Sequence, residues 1–266
     1  MKTAVAFLTN NPRPSTLDFA KQVEEYTPFD VFIVDDTLND IPKSSQYKVV
    51  QIANSHCLNS GYCNSSFTET TTSIRKNPIA YDKFCFYFCK LDTSYDFVWV
   101  FEDDVFIPRV ETIKRLHILN YQADLVTANN TLKNDTTPDW HWKHIFDKTE
   151  PPYYYSMVCA AGMSKKMLQA VANYVKQKGT LFYVEAMFNT LAMQNNLVVN
   201  CPAELKSIVW MGDWNLDTHL LLPNNVFHPC KNIDEHWLMR KRIAKAKYQG
   251  YKPTAKLPSF LFSSQI

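Results

Sequence analysis

Phe97-Val98-Trp99-Val100-Phe101-Glu102-Asp103-Asp104 decides how this chain is read: an unbroken apolar run that ends in adjacent carboxylates. Alternating apolar and polar positions would mark a strand with one wet face. An unbroken apolar run marks a strand covered on both faces, as in a parallel sheet. Ligands of open α/β sheets bind beyond the carboxyl ends of the strands, which is where Glu102, Asp103 and Asp104 would stand. Neighbouring carboxylates raise each other's pKa unless a cation or hydrogen-bond donors hold them. In an extended chain Glu102 and Asp104 point to one side and Asp103 to the other. Oxygen ligands favour Mg²⁺ or Mn²⁺, and such an ion bridging a diphosphate offsets the charge that grows on a leaving group. A solvated acidic turn, or a helix start favoured by the dipole, accounts for the same triplet. The residues alone leave both readings open.

Outward from this strand the chain alternates in the α/β manner. Strands are expected at 4–9, 31–34 and 48–52, with a helix within 15–25 and a polar loop over 54–67. Residues 78–89 carry helical spacing. Beyond the acids, a helix is expected at 110–121 and a strand at 124–127, followed by a polar, aromatic segment at 129–155. Residues 163–178 read as a helix with Ser164 as a possible cap, 182–194 as a short strand running into a helix, and 236–248 as a basic amphipathic helix. Neither a repeat nor a Pro/Gly/Ser linker divides the chain, so 1–266 reads as one domain.

With 266 residues, 46% hydrophobic and 14% aromatic, the chain can bury a large core. A net charge of +2 gives no global field for non-specific nucleic-acid binding, so no nucleic-acid partner is expected. The opening apolar run is too short for a leader or a span, and no later stretch is long enough to cross a bilayer. The expectation is a soluble, cytoplasmic protein with no transmembrane anchor. Seven cysteines, an odd number with no CxxC pair, suit reduced thiols, with a Cys57–Cys63 bridge left open. The absence of GxxxxGK[ST] and of GxSxG argues against a P-loop NTPase and a serine hydrolase.

Further candidates surround the acids. Asp35 and Asp36 end the 31–34 run at the same expected sheet edge, where an acid can accept hydrogen bonds from a ribose or base. His228 lies in a loop before Pro229, and an imidazole can complete an oxygen-rich Mn²⁺ site, although loop histidines are more often surface groups. Glu185 follows an apolar run and opens a helix, which suits a general base that takes a proton from an acceptor hydroxyl; a glutamate serving only the helix dipole is the other reading. Asp213, in Trp210-Met211-Gly212-Asp213-Trp214, is the rival base. Trp140, Trp142, Trp210 and Trp214 can stack on sugar rings, though aromatic clusters are more often core. His141 and His144 lack a partner at zinc-site spacing.

With these residues in place, the chain resembles the GT-A glycosyltransferases, whose acidic DxD-like motif closes a central strand, here Glu102-Asp103-Asp104. Within that group it is similar to small anchorless enzymes of large algal DNA viruses, including a xylosyltransferase. The segments from Pro78 to Lys83 and from Phe182 to Glu185 are also similar to pieces of that fold. The resemblance covers most of the chain. It implies a Rossmann-like α/β GT-A fold with a mostly parallel sheet flanked by helices, a nucleotide-binding half over about 1–128 and an acceptor half over about 129–266. It further implies a UDP-linked donor, with xylose as the sugar of the viral relative, a glycan hydroxyl of an oligosaccharide or glycoprotein as acceptor, inverting transfer, and viral glycan synthesis in a host cytoplasm. Asp104 and His228, with Glu102, would hold Mn²⁺ or Mg²⁺. Glu102 or Asp103 would meet the ribose or a metal-bound water, Thr9 and Asp35 the base and ribose, and Lys83 the phosphates. Glu in place of the first Asp of DxD leaves the division between Glu102 and Asp103 open. A metal-dependent phosphodiesterase or nuclease, and a non-catalytic carbohydrate-binding protein, are the alternatives.

Overall fold

The computed structural model describes residues 1–37, 41, 44–64, 77–134, 142, 145–254, 256–258 and 261. In the first half, β1 (Thr3–Thr9), α1 (Pro14–Tyr26), β2 (Asp30–Asp35) and β3 (Lys48–Gln51) are followed by the short helices α2 (Asn54–Asn59) and α3 (Ala80–Phe86). Then come β4 (Phe97–Glu102), α4 (Glu111–Asn120) and β5 (Leu125–Val126). The second half holds β6 (Thr131–Leu132), β7 (Tyr154–Tyr155), β8 (Ala160–Ser164), α5 (Lys165–Lys178), α6 (Val184–Gln194), β9 (Val199–Asn200), α7 (Leu216–Leu221) and α8 (His236–Tyr248).

Seven of these strands form one sheet in the order β3-β2-β1-β4-β8-β5-β9. All run parallel except β8, which is antiparallel to both its neighbours. β6 and β7 pair separately. β8 and β9 thus complete the same sheet that the first half begins.

The unbroken apolar strands are explained by cover on both faces. Ala4, Ala6, Leu8, Val98 and Val100 face a core built with α3, α5 and α6. Val5, Phe7, Phe97, Trp99 and Phe101 face α1 and α4. On that second face the Trp99 and Phe101 rings lie nearly parallel, with centroids 6.1 Å apart. A third, smaller cluster of Phe106, Phe227 and Ile243 joins α7 and α8 to the segment after β4. There the half-buried Arg240 places its guanidinium 3.7 Å from the Phe19 ring centroid and donates to the Ile107 carbonyl at 3.0 Å.

The ends of α5 follow from local chemistry. Ser164 Oγ accepts from the Met167 N–H at 3.2 Å, which is the cap expected from sequence. The helix stops at Gly179, whose φ of +69° and N–H bond to the Val175 carbonyl at 2.8 Å form a left-handed cap. Gly61, itself at φ +75°, meets this turn so closely that a Cβ on it would lie 2.8 Å from the Gly179 carbonyl carbon and oxygen. Gly61→Ala adds a left-handed penalty to a clash with backbone, so it is expected to destabilise by roughly 2–4 kcal/mol in urea unfolding. A change below about 0.5 kcal/mol would show that the turn relaxes freely.

Several local expectations change. Asn54–Asn59 is helical where a loop was expected, and Cys57 within it is fully buried. The 78–89 helix splits into α3 and a wider π-type turn, Tyr87–Leu91. Residues 182–183 are not a strand; Leu181 makes a single bridge to Asn64, and the helix begins at Val184. Met163 lies in β8, so α5 starts two residues later than read. All seven cysteines are free, so Cys57 and Cys63 are not bridged. Among the described residues, no helix is long and apolar enough to cross a membrane. Trp140, His141 and His144 lie outside the described residues.

Candidate functional site

From β1 the chain builds β2 and β3 to one side, then crosses back to lay β4 on the other. The crevice between the carboxyl ends of β1 and β4 is therefore a topological switch point, where open α/β sheets bind ligands. Thr9 ends β1, and its hydroxyl donates to Asp103 Oδ2 at 2.8 Å. Burial raises the Asp103 carboxyl, and the Thr9 bond opposes this only in part. Asp103 is thus turned toward β1, while Glu102 and Asp104 are turned toward His228.

Long-range backbone bonds bring His228 here. The N–H of Val105 closes a turn on the Glu102 carbonyl at 3.1 Å, and Phe106 exchanges backbone bonds with Phe227 at 2.8 and 2.9 Å. The N–H of Cys230 donates to the Asp104 carbonyl at 2.8 Å and that of His228 to the Ser207 carbonyl at 3.0 Å. His228 Nδ1–H donates to the Val209 carbonyl at 2.9 Å, so Nε2 faces Asp104 Oδ2 at 3.5 Å. The Lys231 ammonium pairs with the same oxygen. Asp104 Oδ1 is buried and has no hydrogen-bond partner among the described residues.

Burial alone would raise the Asp104 carboxyl, but His228 and Lys231 outweigh it and hold it at about 2. Burial likewise opposes the charge on His228, yet Asp104 raises its pKa. Glu102 is raised by burial and by Asp104. A Glu102 oxygen, Cys159 Sγ and a His228 ring nitrogen all lie within 4.8 Å of one another. These residues could hold a cation.

Glu185 sits in the first turn of α6, and its backbone carbonyl accepts from the Ser156 N–H at 2.9 Å. With Glu102, Tyr81, Asp82 and Tyr183 it lines a pocket of about 220 Å³. Burial, then the charge on Glu102, pushes its carboxyl up to about 7, against smaller opposing effects of Tyr183 and His228. An acid in this state gains and loses protons near neutrality.

The structure brings Thr9, Glu102, Asp103, Asp104, Glu185 and His228 to one crevice; the other sequence candidates fare differently. Asp35 is fully buried, accepting from Thr37 Oγ1 at 2.9 and 3.0 Å and from Gln51 Nε2 at 3.0 Å, so it braces the end of β2 instead of facing a ribose. The half-buried Asp36 is the acid near Lys83 and Asp103. Lys83 is only 1% exposed, and its ammonium donates to the Asp36 carbonyl at 2.5 Å, so it is neither a solvated lysine nor an ammonium open to a phosphate. Asp213 is exposed and lines a separate pocket of about 260 Å³ with Trp214 and Lys231, apart from the pocket of Glu185. Trp142 is 2% exposed and packs against Tyr153 and Tyr155, so it belongs to the core and offers no face to a sugar. Trp214 is half-buried against Phe227 and donates to the His228 carbonyl at 3.1 Å, while Trp210 is 72% exposed.

Three site residues were not anticipated individually: Tyr81, Cys159 and Lys231. Lys231 lies two positions beyond the Asn225–Pro229 segment, and its spacing from Asp104 gives no local signal. Tyr81 lies in the segment singled out at 78–83, and its hydroxyl donates to the Val158 carbonyl at 2.6 Å. Cys159 carries no local signal.

Fold and site together define an α/β protein with a seven-stranded, mostly parallel sheet flanked by helices, compatible with a Rossmann-like fold, and an acid and histidine centre at its carboxyl edge. No family model matches the chain, and no curated protein matches it.

Proposed function

We propose that the protein is a metal-dependent glycosyltransferase of the GT-A type, which moves a sugar from a UDP-linked donor to a glycan hydroxyl with inversion. The observation that carries this reading is the meeting of Glu102, Asp104 and His228 at the switch point, with Glu185 beside them and its carboxyl poised at about 7.

The residues fit a cation: Asp104 Oδ1 is buried without a partner among the described residues, and the Val209 carbonyl fixes the His228 tautomer so that Nε2 carries the lone pair when the ring is neutral. Glu102, Asp104 and His228 would hold the ion, which when bound supplies Lewis-acid stabilisation of a departing diphosphate. Thr9 fixes Asp103 beside the donor crevice. Lys83 pins the chain at Asp36, which shapes the nucleotide side of the same edge. Lys231 adds positive charge next to the diphosphate position. Glu185 takes the proton of the acceptor hydroxyl as its oxygen attacks the anomeric carbon.

Titration with UDP, with and without Mn²⁺, followed by a screen of nucleotide sugars for UDP release, tests the reading. Metal-linked UDP binding and turnover of a subset of donors, with UDP-xylose in the panel, are the expected results. Hydrolysis of a phosphodiester with no need for a donor would replace this reading with a phosphodiesterase. Saccharide binding without metal-linked UDP binding would replace it with a carbohydrate-binding protein.

A further inference from the structure

We infer that Cys159 contributes a sulfur ligand to the centre at Glu102 and His228, which makes it a mixed oxygen, nitrogen and sulfur site that selects Zn²⁺- or Co²⁺-like ions over Mg²⁺. The inference rests on the cation-binding part of the proposed function and concerns which ion is held.

Backbone pairing is the first support. β8 runs antiparallel to β4 with Phe101 opposite Ala160, and the Glu102 N–H donates to the Cys159 carbonyl at 2.8 Å. Cys159 therefore continues the ladder by one step, across from the residue that ends the acidic strand. Side-chain geometry is the second: Sγ lies within 4.8 Å of both the Glu102 oxygen and the His228 nitrogen. The orientation of His228 is independent of both, because its Nδ1–H is spent on the Val209 carbonyl, the arrangement typical of a histidine that ligates through its other nitrogen. Asp104, whose Oδ2 lies 3.5 Å from His228 Nε2, borders this group, and its buried Oδ1 has no hydrogen-bond partner among the described residues. Cys159 is 4% exposed and free of any disulfide, so a thiolate formed there is shielded from oxidants.

The chemistry of the donors sets the preference. Mg²⁺ demands near-octahedral oxygen and gives up water reluctantly, whereas thiolate and imidazole suit Zn²⁺ and Co²⁺. On coordination a sulfur–metal bond forms, and the thiol proton leaves to solvent.

Co²⁺ titration of the chelator-treated full chain tests this. Sulfur-to-cobalt charge-transfer absorption in the near ultraviolet is expected in the native protein. Cys159→Ser should bind Co²⁺ more weakly, by on the order of 10²-fold or more, and without that absorption, since even the outer partners of metal ligands are worth about 10- to 100-fold. Cys159→Ala, which adds no hydroxyl, should do the same. Mg²⁺ in large excess should leave Co²⁺ on the native protein and displace it from Cys159→Ser. Bound Co²⁺ without the sulfur band, displacement from the native protein by Mg²⁺, or no Co²⁺ binding would each overturn the inference. If UDP binding still responds to Mn²⁺ in that case, the glycosyltransferase reading survives; if no cation affects UDP binding, both fall.

Discussion

Glu185→Gln is expected to lower kcat by roughly 10²- to 10⁴-fold while leaving metal-linked UDP binding intact, because it removes a general base and nothing that holds the donor. The substitution keeps the shape of a side chain that sits in the first turn of α6 and lines the pocket with Glu102 and Tyr81. Its ionisation gives a second readout. With the Glu185 carboxyl pushed up to about 7 by burial and Glu102, the base is protonated and idle below that pH and ionised above it. Native kcat/KM should therefore rise as pH rises through about 7 and then level off. A bound cation beside Glu102 offsets the repulsion and shifts this limb toward lower pH. Asp213→Asn, in the neighbouring pocket, should stay near native activity. Full activity of Glu185→Gln would remove it as the base, and a product with retained anomeric configuration would remove the inverting mechanism.

Asp104→Ala should weaken metal-linked UDP binding by on the order of 10²-fold or more, since even second-layer partners of metal ligands are worth about 10- to 100-fold. Asp104→Asn separates charge from shape and should show most of the same loss. Both variants deprive His228 of the carboxylate that raises its pKa, so the His228 imidazole should titrate at lower pH, as followed by its ring resonances. Stability moves as well. The Asp104 carboxyl is held at about 2, below its ordinary 3.8, so its contribution is present above 3.8 and is lost as pH falls through about 2. Acid unfolding of the native protein should accordingly show a component below pH 3.8 that Asp104→Asn lacks. Unchanged UDP binding with Mn²⁺ in Asp104→Ala would discard the acidic arm as the cation's anchor.

The buried strands β1, β2 and β4, the amphipathic helices α1 and α4, and the Ser164 cap were legible in the sequence because each rests on neighbours within a few residues: apolar runs, helical spacing, a hydroxyl before a helix. β8 was not. Ala160-Ala161-Gly162 has poor strand propensity, and its smallness answers to the partner strand: a Cβ on Gly162 would lie 2.7 Å from Phe97 Cε1. That constraint arises only once β4 and β8 are side by side.

The candidate site divides in the same way. The sequence by itself determined that a covered strand delivers Glu102, Asp103 and Asp104 to a sheet edge, since an unbroken apolar run and its acidic end are local facts. Only the tertiary structure decided which acids stay open to a ligand. It buried and saturated Asp35, tied Lys83 to a carbonyl and put Trp142 in the core. It also brought Lys231 to Asp104 across 127 residues and set Cys159 beside Glu102 and His228. The physical reason is that ionisation, burial and ligand geometry depend on groups close in space, whereas spacing along the chain reports only groups close in sequence.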